Sequence, residues 1–145
     1  MTLYVEDFYR WTQTQAELLR EQRFGDVDLE HLVEEIESMG RSEKRELENR
    51  LEVLAMHLLK WQFQPVLRSR SWLATIKEQR RRLERHLEEN PSLRPGLAVT
   101  LQEVYVYAVL AAERETGLSE ESFPAISPYT VNQLLDPEFL PGEAM

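Results

Sequence analysis

Val104-Tyr105-Val106-Tyr107-Ala108-Val109-Leu110 is the run whose reading decides the fold class, because taken alone it has the β-branched and aromatic richness of a strand. A longer window reverses that reading. Leu97, Leu101, Val104, Ala108 and Ala111 keep helical phase, Ala111-Ala112-Glu113 favours helix, and Gly117 supplies a left-handed stop. With this segment helical the chain reads as all-α.

Upstream, Asn90-Pro91 resets the backbone after a fourth helix from about Ser71 to Glu89, which carries Trp72, Ile76, Gln79, Leu83 and Leu87 on one side. Pro65 separates it from a third helix that Ser42 can cap and that runs to about Phe63. Leu47, Leu51, Leu54, Leu58 and Trp61 form its core stripe, and Ala55, Met56, Leu59 and Phe63 widen it, as in a central helix with neighbours on several sides. Gly40 is placed to end a second helix capped by Asp28, whose Leu29, Leu32, Val33 and Ile36 follow the i, i+3, i+4, i+7 rule. Asp7 can cap a first helix reaching about Arg23, with Phe8, Trp11, Gln15, Leu18 and Leu19 inward and Phe24-Gly25-Asp26 as its stop. Downstream, Pro124, Pro128, Pro137 and Pro141 space out Phe123, Tyr129, Leu134, Leu135, Phe139 and Leu140, which predicts a tail with one short helix laid across the rest. The expectation is one domain over 1–145, a compact bundle of about five helices with a proline-spaced carboxy-terminal segment packed across it.

At 145 residues, 42% apolar and 30% charged, the chain has the profile neither of disorder nor of a membrane protein. It contains no cysteine, so disulfides, thiolate metal sites and cysteine nucleophiles are excluded, and a reducing compartment is expected. Acidic Glu6 and Asp7 stand where a signal peptide needs a basic start, and no stretch reads as a membrane span, so the expectation is cytoplasmic with no membrane partner. The formal charge of −9 opposes nonspecific nucleic-acid binding. Residues 66–86 are the basic exception.

Five motifs, in order, carry a family likeness: Asp7-Phe8-Tyr9-Arg10-Trp11, the run from Leu32 to Glu43, His57-Leu58-Leu59-Lys60-Trp61-Gln62, Arg68-Ser69-Arg70-Ser71-Trp72 and Phe139-Leu140-Pro141. Together they resemble the bacterial, largely cyanobacterial family known as domain of unknown function number twenty-nine, over about Tyr4 to Pro141. The resemblance implies a helical fold and a bacterial origin and supplies no catalytic residue, cofactor or partner. The face bearing Val106, Val109 and Leu110 is more apolar than the resemblance leads one to expect.

His57 stands a quarter turn from the Leu54–Leu58–Trp61 stripe, where burial lowers an imidazole pKa. It reads either as a core histidine or, paired with Glu34 or Glu37, as a metal site or general base. Glu30, Glu34, Glu35 and Glu37 with His31 lack the His-Glu-x-x-His and Glu-x-x-His spacings of zinc and di-iron helices, and His31 and Glu35 are expected in water. Lys77, Arg81 and Arg85 recur every four residues, which requires acidic compensation, with Glu88 and Glu89 one turn on, or else invites an anionic partner. Lys60, Gln62 and Arg70 flank Trp61 and Trp72 and are the candidate lining of a pocket. No phosphate-cradling glycine loop or nucleophile elbow occurs, and no cofactor is expected. The leading reading is therefore a noncatalytic interaction module, a homodimer or the partner of another protein, with Val106, Val109 and Leu110 as the association face.

Overall fold

The computed structural model describes residues 2–142, among which no strand occurs. The helices are α1 (Leu3–Glu6), α2 (Phe8–Arg20), α3 (Leu29–Phe63), α4 (Arg70–Glu89), α5 (Leu97–Thr116) and α6 (Val131–Leu135). The chain divides into two compact units, Met1–Glu43 and Lys44–Met145.

In the first unit Asp7 serves two helices. Its backbone N–H closes α1 on Leu3, and its carboxylate accepts the Arg10 N–H at 3.0 Å, capping α2. Trp11 is buried, and the buried Gln15 side chain accepts the Asp28 N–H at 2.7 Å. α2 stops earlier than Gly25. Gln22 adopts φ 59, its N–H returns to Leu19 and that of Arg23 to Leu18, which is a Schellman closure on a non-glycine residue. The expected inward set of α2 is only partly inward, since Phe8 and Leu19 remain about half exposed.

α3 corrects the largest expectation. It runs unbroken from Leu29 to Phe63 through Gly40 and Ser42, with Gly40 outside the left-handed region and Ser42 exposed within the helix. A single interior glycine costs about 1 kcal/mol, which its neighbours Met39, Arg41, Glu43, Lys44, Arg45 and Glu46, all good helix formers, can carry. Ending the helix there would strand carbonyls that continuation satisfies.

In the second unit Leu47, Leu51, Leu54, Leu58 and Leu59 of α3, Ile76, Leu83 and Leu87 of α4, and Leu101, Val104, Tyr105 and Ala108 of α5 form one buried cluster. Ser69 caps α4 by accepting the Trp72 N–H at 3.2 Å, and Gly117 ends α5 with φ 79, as its position predicts. Pro65–Leu67 and Pro91–Gly96 form 3₁₀ turns at the two proline breaks. The proline-spaced tail contributes Phe123, Tyr129 and Leu134 to the cluster, and Thr130 and Gln133 close a capping box on α6. Tyr105 donates to the Pro124 carbonyl at 2.7 Å. The tail thereby broadens the inner face of α5, and Val109 is buried, against the expectation that it lies exposed with Val106 and Leu110.

One further expectation changes. Pro91–Thr116 is long and apolar enough, by length and composition, to cross a membrane, with 44% of its apolar window buried. Its buried part is the core stripe of Leu97, Leu101, Val104, Ala108 and Ala112, and the rest of its apolarity is the exposed row of Val99, Val106, Tyr107 and Leu110.

Two substitutions test this backbone. Gly40→Ala should stabilise the protein by about 0.5–1 kcal/mol in denaturant titration, because a Cβ there meets nothing within 4 Å in a right-handed helix. A left-handed Gly40 predicts the opposite sign. Gln22→Gly should also stabilise, by about 1 kcal/mol, by relieving the left-handed conformation of a residue with a side chain.

Candidate functional site

The chain has three histidines, and each is tied to a particular acceptor. His57 donates from Nδ1 to the Val53 carbonyl at 3.0 Å, one turn back on α3. Burial holds its pKa below the ordinary imidazole value. Neither Glu34 nor Glu37 pairs with it. On one continuous helix, twenty residues of rise separate Glu37 from His57, about 30 Å, so the proposed carboxylate–histidine pair does not form. The buried His86 places Nδ1 2.7 Å from Glu46, a pairing between α4 and α3 that no local spacing announces.

His31 departs furthest from expectation. Its ring stacks on Tyr4 at 3.9 Å and 15°, and Nδ1 lies 2.7 Å from Asp28, which also accepts the Trp11 indole N–H at 3.0 Å. Glu35, one helical turn on, accepts the Tyr4 hydroxyl. His31 and Glu35, with Leu32, are therefore the half-buried face of this part of α3, and the other apolar residues are outside: Leu29 is 67% exposed, Val33 47%, Ile36 61% and Met39 60%. The reversal has a polar cause. Trp11, Tyr4 and the Asp28 backbone all need partners, and Asp28, His31, Glu35 and Gln15 supply them. The hydrogen bond to Asp28 raises the His31 pKa, that to His31 lowers the Asp28 pKa, and the acceptor Glu35 pushes the Tyr4 hydroxyl up to about 12.

The residues expected to line a pocket find separate partners. Lys60 is buried with Nζ 2.7 Å from Glu115 and 4.5 Å from the centre of the Trp72 ring. Gln62 accepts the hydroxyl of the buried Tyr129 at 2.8 Å, and burial raises the Tyr129 pKa. Arg68, not Arg70, packs on Trp61, with its guanidinium 4.9 Å from the ring and Nε donating to the Trp61 carbonyl at 2.7 Å. Arg70 is exposed on the first turn of α4. Sequence reasoning missed Glu115 and Tyr129, which lie more than fifty positions from the residues they partner.

Only one member of the basic row is compensated. Arg85 pairs with Glu89 at 3.0 Å, whereas Lys77 and Arg81 have no ion pair among the described residues. On α5, Val106 and Leu110 are exposed with Val99 and Tyr107, but Glu103 stands in the same row.

These arrangements define an all-α protein in which His31, His57 and His86 each meet an acceptor within the chain and in which apolar residues of α3 and α5 stand exposed. The chain belongs to the family described as Domain of unknown function DUF29, whose model matches residues 3–140. No curated protein and no solved structure matches it.

The Asp28–His31 pair predicts a pH dependence. A raised histidine pKa contributes stability that is complete below about 6.5, the ordinary imidazole value, and is lost as pH rises through the raised value. The stability difference between wild type and His31→Gln, in which the titration of the other histidines cancels, should be largest in mild acid and shrink towards alkaline pH. A difference that grows with pH would contradict the pairing.

Proposed function

We propose that this protein is a noncatalytic helical module that associates with a second copy of itself through the exposed apolar row of α3. The observation that carries the reading is the row itself: Leu29, Val33, Ile36 and Met39 are about half or more exposed on a helix whose opposite side is partnered. Contiguous exposed apolar residues rimmed by charge mark association surfaces. The α5 face is less suited, because Glu103 interrupts it and Val109 is withdrawn into the core.

A second copy is the occupant that the charges favour. Glu30 flanks the row at its start and Arg41 at its end, on the same side of the helix. Two antiparallel copies of α3 related by a two-fold axis near Ile36 set Glu30 of each beside Arg41 of the other, the self-complementary arrangement of a symmetric dimer. The row is short for an obligate interface, so the dimer should be weak and concentration-dependent.

Sedimentation from low to high micromolar concentration tests this. The wild type should gain mass with concentration, Ile36→Glu should stay monomeric with unchanged helicity, and Arg41→Glu should weaken association. Combining Glu30→Arg with Arg41→Glu should restore it. A monomer at every concentration, or dimerisation that survives Ile36→Glu, overturns the proposal.

A further inference from the structure

Lys77, Arg80 and Arg81 of α4 line a cavity of about 520 Å³ with Leu135 and Pro137 of the tail, within the range of small-molecule sites. Arg80 is the residue that makes this more than a charged surface, for it is only 5% exposed. Its Nε donates to the Leu134 carbonyl at 2.8 Å and one Nη2 proton goes to Gln133 at 3.2 Å, so the guanidinium caps the carboxyl end of α6. Both acceptors are neutral. Among the described residues Nη1 has no acceptor and is not sealed from solvent, and Asp136, whose field reaches Arg80, forms no ion pair with it. A guanidinium has five N–H donors, so most of this buried cation's capacity for an anion is unspent.

Its neighbours have the same need. Lys77 and Arg81 lie one turn apart without carboxylate partners among the described residues, a mutually repelling like-charge pair. Of the two carboxylates at the rim, Glu84 is engaged by Arg94 at 2.5 Å, leaving Glu138. Glu138 disfavours a multiply charged ligand, and the Leu135 and Pro137 walls favour one with an apolar portion.

We propose that this cavity binds a small organic anion, a single carboxylate carried on an apolar body, with Arg80 as the buried fork and Lys77 and Arg81 as the outer clamp. The probe is octanoate, added to the full chain and followed by the NMR signals of the arginine side chains, with octan-1-ol as the neutral control of equal length. Octanoate should shift the Arg80 Nε–H signal saturably, and octanol should not. Because Arg80 also holds α6, the decisive variant is Lys77→Gln with Arg81→Gln on the exposed side of α4. It should keep the wild-type melting temperature and weaken octanoate binding about tenfold, as expected for loss of two partly exposed charge contacts. The proposal is overturned if octanol binds as well as octanoate, if the double variant binds unchanged, or if octanoate produces no saturable shift at Arg80.

Discussion

An α-helix can redirect its apolar row only by breaking, and α3 does not break. Because 3.6 residues make a turn, the row that starts at Leu29, Val33 and Ile36 is in phase with the one that continues through Leu47, Leu51, Leu54 and Leu58. From Leu47 onward that row is the centre of a packed core, and before it the same row is exposed. A break at Gly40 would have let the earlier segment rotate its apolar side inward. Continuity removes that freedom, and the first unit packs on the polar side of residues 28–35, where Asp28, His31 and Glu35 meet Trp11, Tyr4 and Gln15, so the apolar side is left outside.

That constraint explains the chemistry of the first unit. A face carrying Asp28, His31 and Glu35 can be covered only if each polar group meets a partner, since an unpaired buried one costs roughly 1–3 kcal/mol. Tyr4, Trp11 and Gln15 are therefore aromatic or amide groups with a hydrogen-bonding tip, and each tip is used. The second unit follows ordinary rules: leucines at helical spacing fill the core, and Lys60 and Tyr129 are admitted only with Glu115 and Gln62.

Much of this was legible in the sequence where the signal is local. Helical phase overrode the strand-like composition of Val104–Leu110, Gly117 stopped α5, Asp7 capped α2, and the prolines of the tail bracketed one short helix. The family, too, could be read from its ordered motifs. What failed were readings in which a local preference competes with something distant or graded. Gly40 permits a stop without requiring one, and Gln22 rather than Gly25 takes the left-handed turn because hydrogen bonds to Leu18 and Leu19 compensate its strain. Apolar periodicity located the stripe of residues 29–36 correctly and assigned it to the wrong environment, since periodicity reports that a face is apolar and not whether anything covers it. Arg80 has no local mark that sets it apart from its basic neighbours, because only the tail, more than fifty positions away, distinguishes it from Arg81.

The continuity of α3 is tested most directly by the backbone chemical shifts and amide-exchange protection of Ser38 to Glu46. An unbroken helix predicts uniformly helical Cα shifts through Gly40 and Ser42, with sequential and i to i+3 proton contacts spanning both. Non-helical shifts at Gly40, with a new capped start at Ser42, would contradict it.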